Sequence, residues 1–263
     1  MNSAAHLINQ EASEGTLPNS MGSLLCKQLE IRIDSYEQFL QVFPYSGDAI
    51  YQLIFELCGS SIKTKKQRFA VANLKSIFEA TFKICSQSSF HAMSLRNLCD
   101  ATGISMGGLY SCIKGKYQLL LLVKELVRFL SDEMHCAALQ IESPSERLEW
   151  FIRNNIYMTT LLQPWFFFLY VETHSLEGPD QLDSKEIELD TINRVEKILE
   201  QGICKGEFNV NDTATVATIF FSMEQEWYMK PWKYRGLGVG VDQYVETLLE
   251  TSHTLIHGTT QPV

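Results

Sequence analysis

Residues 93–116 read MSLRNLCDATGISMGGLYSCIKGK, and this stretch decides the fold. Gly107 and Gly108 stand side by side within what otherwise has the pattern of a short amphipathic helix. Glycine is the poorest helix former after proline and costs about 1 kcal/mol in a helix interior. The pair therefore indicates a special use of the backbone, which either cradles a phosphate or lies very close to a large neighbour.

The flanking residues favour a helix-turn-helix over a phosphate loop. A P-loop requires G-x-x-x-x-G-K-[ST] after a strand, whereas a leucine follows Gly108 and a helical pattern precedes Gly103. Ser94 is a good N-cap for SLRNLCDAT, and Gly103 can supply a left-handed turn after it. Ser105 then caps a second helix that ends near Ile113. The sequence predicts that this second helix enters the major groove of DNA.

The second helix has two different faces. On a helical wheel Met106, Leu109 and Ile113 point roughly inward. The outward face carries Gly107, Ser111 and Lys114, flanked by Gly108 and Tyr110, and it is small and polar. Absent side chains at 107 and 108 would let the helix backbone approach base edges or phosphates. Close packing of two helices through glycine is the alternative explanation.

Charge is distributed unevenly along the chain. The whole chain of 263 residues has a net charge of −9, but Lys63 to Arg128 carries +8 and the remainder −17. Such asymmetry suggests a polyanion-binding module attached to an acidic body. The basic linker residues Lys63, Lys65, Lys66 and Arg68 would lie near phosphates or the minor groove, or serve only as a charged linker.

Apolar residues recur at helical spacing over most of the chain, and alternating strand patterns are absent, so the sequence predicts an all-α protein. We expect an N-terminal extension at 1–62, with a loosely ordered tail at 1–23 and short helices broken near Pro44 within 24–58. A three-helix DNA-binding domain then covers 63–117, and a larger helical domain for effector binding and dimerisation covers 118–263. The extension is predicted to fold back on the body or to reach a partner subunit.

The motif resembles the N-terminal DNA-binding module of the TetR family of transcriptional regulators. The resemblance covers about 67–125 and rests on the hydroxyl residue Ser94, the Ala-x-Gly-hydrophobic-Ser turn at 101–105, Gly107, the Leu-Tyr pair at 109–110 and Lys116. Family members usually begin this module close to the N-terminus, whereas about 60 residues precede it here.

The resemblance implies roles for individual residues. Tyr110, Lys116 and Ser94 would bind backbone phosphates, which fixes register without reading sequence. Arg96 matches a position that can reach guanine, or else it is a solvated surface arginine. The complete predicted DNA-binding set is Ser94, Arg96, Ser105, Met106, Gly107, Gly108, Tyr110, Ser111, Cys112 and Lys116.

Cys112 stands where family members usually have an aromatic residue or histidine. A thiol exposed near the DNA would permit a redox-responsive regulator, which is one alternative function. The other explanation is a tolerated small residue.

In the family the second domain encloses an effector and dimerises through its last two helices, here expected at about 211–230 and 241–257. Aromatic and Met-rich stripes favour a small apolar or aromatic effector, although such stripes are also typical of ordinary core. The predicted pocket residues are Trp150, Phe151, Met158, Trp165, Phe168, Glu172, Met223 and Trp227.

These features predict a cytoplasmic homodimer that binds double-stranded operator DNA and acts as a repressor released by its ligand. The longest apolar run, Trp165 to Val171, is too short to span a membrane. No catalytic, metal-binding or cofactor motif is evident, so we expect no enzyme, no cofactor and no metal site. A helical protein-interaction module that keeps this fold is the competing interpretation.

Overall fold

A computed structural model of the chain describes residues 33–57, 67–174 and 179–257, without the side chains of 173–184. These residues form helices and connecting turns and contain no strand, so the predicted all-α class is confirmed. The predicted tail at 1–23 and the linker residues Lys63, Lys65 and Lys66 lie outside the described residues. The helices are α1 (Tyr36–Val42), α2 (Ala49–Leu57), α3 (Gln67–Cys85), α4 (Leu95–Thr102), α5 (Met106–Cys112), α6 (Lys116–Ala138), α7 (Pro144–Leu161), α8 (Gln163–His174), α9 (Pro179–Cys204), α10 (Thr213–Met229), α11 (Pro231–Gly236) and α12 (Val241–His257).

Helices α3, α4 and α5 pack on one another and form the head of the molecule. Their shared core contains Leu74 and Phe78 from α3, Leu98 from α4 and Leu109 from α5, all fully buried. Helix α6 begins at the head and continues without interruption into the body, where it contacts α7, α8 and α9. The head and the body are therefore joined by one rigid element.

The body is built around α7, which contacts α6, α8, α9, α10 and α12. Pro144 occupies its first turn and Ser143 caps it, as expected where proline pre-forms the helical backbone angle. The short helix α11, which starts at Pro231, was not anticipated from the sequence. It separates α10 from α12, whose inner face buries Val245 and Leu248.

Residues 33–57, here termed the N-terminal clasp, form two helices broken near Pro44 that fold back on the rest of the chain. Helix α1 contacts α7, and α2 contacts both α3 of the head and α6. The Phe39 ring lies 5.6 Å from the Tyr157 ring, and the Tyr51 ring lies 5.7 Å from that of Trp165. The clasp therefore shares one hydrophobic core with head and body.

Candidate DNA-binding surface and effector cavity

The turn between α4 and α5 is fixed by local hydrogen bonds. Ser94 Oγ accepts from the Asn97 amide at 3.2 Å, and Asn97 Oδ1 accepts from the Ser94 amide at 2.9 Å. Gly103 has φ +71°, the left-handed conformation that favours glycine. Ser105 Oγ then accepts from the Gly108 amide at 3.2 Å. The predicted caps and turn are thus present, and they orient α5 across α4.

Part of the surface of helix α5 is exposed and has no neighbouring protein atoms packed against it. Met106 is 41% exposed and Tyr110 is 49% exposed, while Leu109 and Ile113 are buried. The inward position predicted for Met106 from the helical wheel is therefore wrong. A Cβ atom built at Gly107 would have no neighbour within 4 Å. Gly107 consequently marks a place where another molecule can reach the helix backbone.

Gly108 has a different role from Gly107. A Cβ atom at Gly108 would lie 2.9 Å from Ile104 Cγ2 and 3.3 Å from Ser105 Oγ. Contacts this short are not tolerated without displacement of the turn that precedes the helix. The position is half-buried, which does not fit the open backbone approach predicted for both glycines. Close packing explains this glycine.

Cys112 is only 1% exposed, so the predicted exposure at the DNA face is wrong. Its sulfur lies 3.7 Å from Asn73 Nδ2 of α3, which the helical wheel of α5 alone could not reveal. The neighbouring Ser111 is half-buried, and its hydroxyl donates to the Gly108 carbonyl at 2.6 Å. Because the thiol is enclosed by the head, Cys112 provides neither a DNA contact nor an exposed redox group.

Lys116 has protein partners rather than the free ammonium that a phosphate contact requires. Its Nζ donates to the carbonyls of Phe90, His91 and Met93 at 3.2, 2.7 and 2.9 Å. Three donors are thereby used on the segment that leads into Ser94. This corrects the predicted phosphate role: the side chain ties the start of α6 to the loop before α4.

The remaining predicted DNA-binding side chains lie on the exposed side of the head. Ser94, Arg96 and Ser105 are exposed, as is Lys114 at the end of α5. Arg68 at the start of α3 is exposed as well. Three cations and two hydroxyl groups are thus exposed on the head.

The principal cavity lies within the body among α6, α7, α8, α9 and α10. Its space amounts to about 820 Å³ when the open solvent at its mouth is included, of which about 80 Å³ can hold the centre of a water molecule. Most of its wall is apolar or aromatic, which is typical of small-molecule sites. The apolar wall includes Val127, Met134, Phe151, Met158, Phe166, Leu169 and Phe221.

Only two of the predicted pocket residues, Phe151 and Met158, line this cavity. Trp165 instead packs against Phe78 and Phe82 of α3, with ring centroids 4.8 Å apart in both pairs. The Trp227 ring stacks on that of Tyr244 at 4.6 Å. Trp150 and Met223 are half-buried against the hydrophobic core and likewise do not line this cavity.

Phe168 and Glu172 line a second cavity of about 640 Å³ between α8 and the end of α3. Glu172, a predicted pocket residue, is buried and accepts from the Phe90 amide at 3.4 Å. Burial raises the pKa of this carboxyl. These two residues therefore belong to the junction of head and body.

Glu224 on α10 is the functional candidate that the sequence reasoning missed. It lines the principal cavity and is 2% exposed. Asn155 Nδ2 donates to its Oε2, while Oε1 has no hydrogen-bond partner among the described residues. Burial raises its pKa to about 8. A signal existed in the sequence, because Glu224 stands on the helical face of Phe220, Trp227 and Tyr228, where a carboxyl is unexpected.

Comparisons with known proteins agree with this architecture. Residues 142–230 match the family model described as the tetracyclin repressor-like C-terminal domain. No curated protein matches the chain. A tetR-family regulatory protein from Rhodococcus RHA1 superposes with TM-score 0.61 at 16% identity, covering 72% of this chain and 97% of that one.

Two ligand-bound structures share the fold. FadR from Bacillus subtilis in complex with stearoyl-CoA has TM-score 0.56 at 18% identity, over 70% of this chain and 99% of that chain. AibR in complex with isovaleryl coenzyme A and operator DNA has TM-score 0.57 at 20% identity, over 70% and 97%. The chain thus has the fold of TetR-family regulators, and residues 142–230 match the C-terminal domain model of that family. No helix in the described ranges is long and apolar enough to cross a membrane.

Proposed function

We propose that this protein is a dimeric DNA-binding transcriptional repressor that a small apolar or aromatic ligand releases from a palindromic operator. The exposed backbone of α5 at Gly107 carries this proposal. The open helix surface at Gly107, on a head that also exposes Arg96 and Lys114, fits the major groove, which is wide enough for one α-helix. Tyr110 and Ser94 would bind phosphates, Arg96 would read guanine and Met106 would contact a thymine methyl.

Dimerisation through α10 and α12 gives such a head two half-sites. Their outer faces expose small hydroxyl residues together with Ile219 and Leu255, which are 40% and 37% exposed. Two linked heads gain affinity because the second binding event is intramolecular. Sedimentation equilibrium should give twice the chain mass of 30.0 kDa, and a concentration-independent mass of one chain would contradict the dimer.

The route from ligand to DNA would run along α6. Val127, Ser131 and Met134 of α6 line the principal cavity, and Lys116 at its start holds the loop before α4. Lys116 and Val127 are about 16 Å apart along the helix axis, at 1.5 Å for each residue. A ligand that displaces α6 would therefore also displace the two short helices of the head.

The decisive variant is Gly107→Glu, which adds a long anionic side chain where the protein leaves open space. Fragments of genomic DNA retained by the purified protein would first be selected, and their affinities measured by fluorescence anisotropy. We expect Gly107→Glu to lower affinity by about 100-fold or more, because a carboxylate in the groove repels phosphates and blocks the helix.

Gly236→Glu is the matched control, since a Cβ atom there also has open space but lies at the end of α11. It should bind as the unmodified chain does. The logarithm of affinity should fall linearly with the logarithm of salt concentration. Retention of no duplex fragment at low salt would contradict the proposal and favour a protein-interaction module.

A further inference from the structure

The principal cavity contains one deeply buried carboxyl with an incomplete set of hydrogen bonds. Asn155 on α7 donates to Oε2 of Glu224 on α10 and so fixes the orientation of the carboxyl group. Oε1 is buried and accepts no hydrogen bond from the described residues. Buried polar groups in native proteins are almost always paired, and leaving one unpaired costs stability. A ligand that donates a hydrogen bond to Glu224 Oε1 would explain why this oxygen has no partner in the empty cavity.

The aromatic wall of the same cavity adds a second preference. Five rings line it, and the Phe166 and Tyr228 rings lie 5.7 Å apart. The faces of aromatic rings carry negative potential and attract organic cations within about 6 Å. The other aromatic side chains of the wall are Phe151, Tyr170 and Phe221.

The charged groups of the wall point the same way. Lys185 and Glu188 of α9 are the other lining side chains of ordinary formal charge, and their charges offset each other. Ionisation of Glu224 would give the wall one further negative charge, which a cationic ligand offsets and an anionic ligand does not.

Resting on the proposed effector role of this cavity, we propose that the effector is an apolar or aromatic molecule with a basic amine. Its ammonium group donates to Glu224 Oε1 while its hydrocarbon part lies against the rings. The acyl-CoA thioesters bound to FadR and AibR carry no such amine at the acyl end. An amine effector would place this chain in a different ligand class from those neighbours.

Pairing with an ammonium group requires an ionised carboxylate. Because burial raises the pKa of Glu224 to about 8, the empty cavity holds the carboxyl protonated near pH 7. Binding of a protonated amine then transfers the carboxyl proton to the buffer, with about one proton released for each amine bound. The titratable groups around Glu224 are Tyr170 on α8, Lys185 and Glu188 on α9, Tyr228 on α10 and Tyr244 on α12.

Three probes of equal apolar size test the proposal on the full chain: 4-phenylbutylamine, 4-phenylbutan-1-ol and 4-phenylbutanoate. Isothermal titration calorimetry near pH 7, in two buffers of different ionisation enthalpy, measures affinity and proton release together. We expect the amine to bind at least about tenfold more tightly than the alcohol and to release a proton, whereas the butanoate should bind weakest.

Glu224→Gln keeps the shape of the side chain and should remove both the amine preference and the proton release. Glu200→Gln is the matched control, because Glu200 is an exposed carboxylate on α9 that does not line the cavity. It should retain both properties. Retention of both in Glu224→Gln would overturn the proposal, and so would equal binding of the alcohol, stronger binding of the butanoate, or no binding of the amine.

DNA affinity measured with and without saturating 4-phenylbutylamine separates this inference from the proposed function. Amine binding that depends on Glu224 but leaves DNA affinity unchanged would support the amine site and contradict ligand-induced release. Specific DNA binding without any amine binding would contradict only the inferred ligand class.

Discussion

The junction between clasp and body and the principal cavity are both rich in aromatic residues, yet they are built differently. At the junction the rings of Tyr36 and Phe39 each lie 5.6 Å from that of Tyr157, and Phe39 and Tyr157 have no exposed surface. In the cavity the rings of Phe166 and Tyr228 face unfilled space. Aromatic content alone therefore does not distinguish a filled core from a binding site.

Polar atoms make the distinction. At the junction Asp242 Oδ1 accepts from the Tyr36 amide at 2.8 Å and from the Tyr157 hydroxyl at 2.7 Å. In the cavity Glu224 Oε1 accepts from no described residue. The satisfied carboxylate joins elements of the fold, whereas the unsatisfied one at the cavity wall is the atom to which we propose that a ligand donates.

The largest loss of stability is expected at Phe39, a ring of the junction that has no exposed surface. Phe39→Ala should lower the free energy of unfolding by about 3–5 kcal/mol, because a cavity replaces a fully buried ring that contacts three other rings. Urea denaturation of the full chain measures this change. Leu40→Ala, at an exposed position on the same helix, should cost less than about 1 kcal/mol.

Phe166→Ala extends this comparison to the cavity wall. Its ring already faces empty space, so it makes fewer contacts that can be lost, and the cost should be less than half that of Phe39→Ala. Equal losses for Phe39→Ala and Leu40→Ala would show that the clasp is not part of the common core.

The next effect concerns Glu224 and depends on pH. Its folded-state pKa is raised to about 8 from 4.5, so between these values the unfolded chain releases a proton that the folded chain keeps. The free energy of unfolding therefore falls as pH rises through this window, by up to about 1.4 kcal/mol for each pH unit. Below about pH 4.5 Glu224 does not change the free energy of unfolding, because it is protonated in both the folded and the unfolded chain.

Glu224→Gln should abolish that slope and raise stability most near pH 8, since the amide has no proton to release. Urea unfolding at several pH values between 4.5 and 8.5 checks this, with Glu200→Gln as the exposed control. A stability curve with the same slope in Glu224→Gln and the unmodified chain would show that the carboxyl is not enclosed.

Features that depend on neighbours in sequence were predictable. Ser94, Gly103 and Ser105 act through hydrogen bonds and backbone angles within four residues, so their spacing predicts the turn. Pro144 and Pro44 likewise mark a helix start and a break by local geometry. This local information sufficed for most helices and for the presentation of α5.

Features that depend on distant residues were not predictable in the same way. Cys112 is covered by Asn73, which lies 39 positions earlier, and Lys116 reaches back to carbonyls 23 to 26 positions earlier. The partner of Glu224 is Asn155, 69 positions away. Periodicity reports which face of a helix is apolar, but not whether another helix or a cavity lies against that face.

The smallest effect tests the polar link of the junction. Asp242→Ala removes the shared acceptor of Tyr36 and Tyr157 and should cost about 2 kcal/mol, because both donors lose a bond to a charged group. Asp242→Asn keeps an oxygen at the same position and should cost less than half as much. Gln243→Ala, at the next and exposed position, is the control and should change stability little.

Hydrogen exchange distinguishes a local link from general destabilisation. In Asp242→Ala the Tyr36 amide should exchange faster by a larger factor than amides in the middle of α7, because it alone loses its acceptor directly. Uniform acceleration over α1 and α7 would mean that the two regions open together. In that case the aromatic contacts with Tyr157, rather than the carboxylate, hold the clasp to the body.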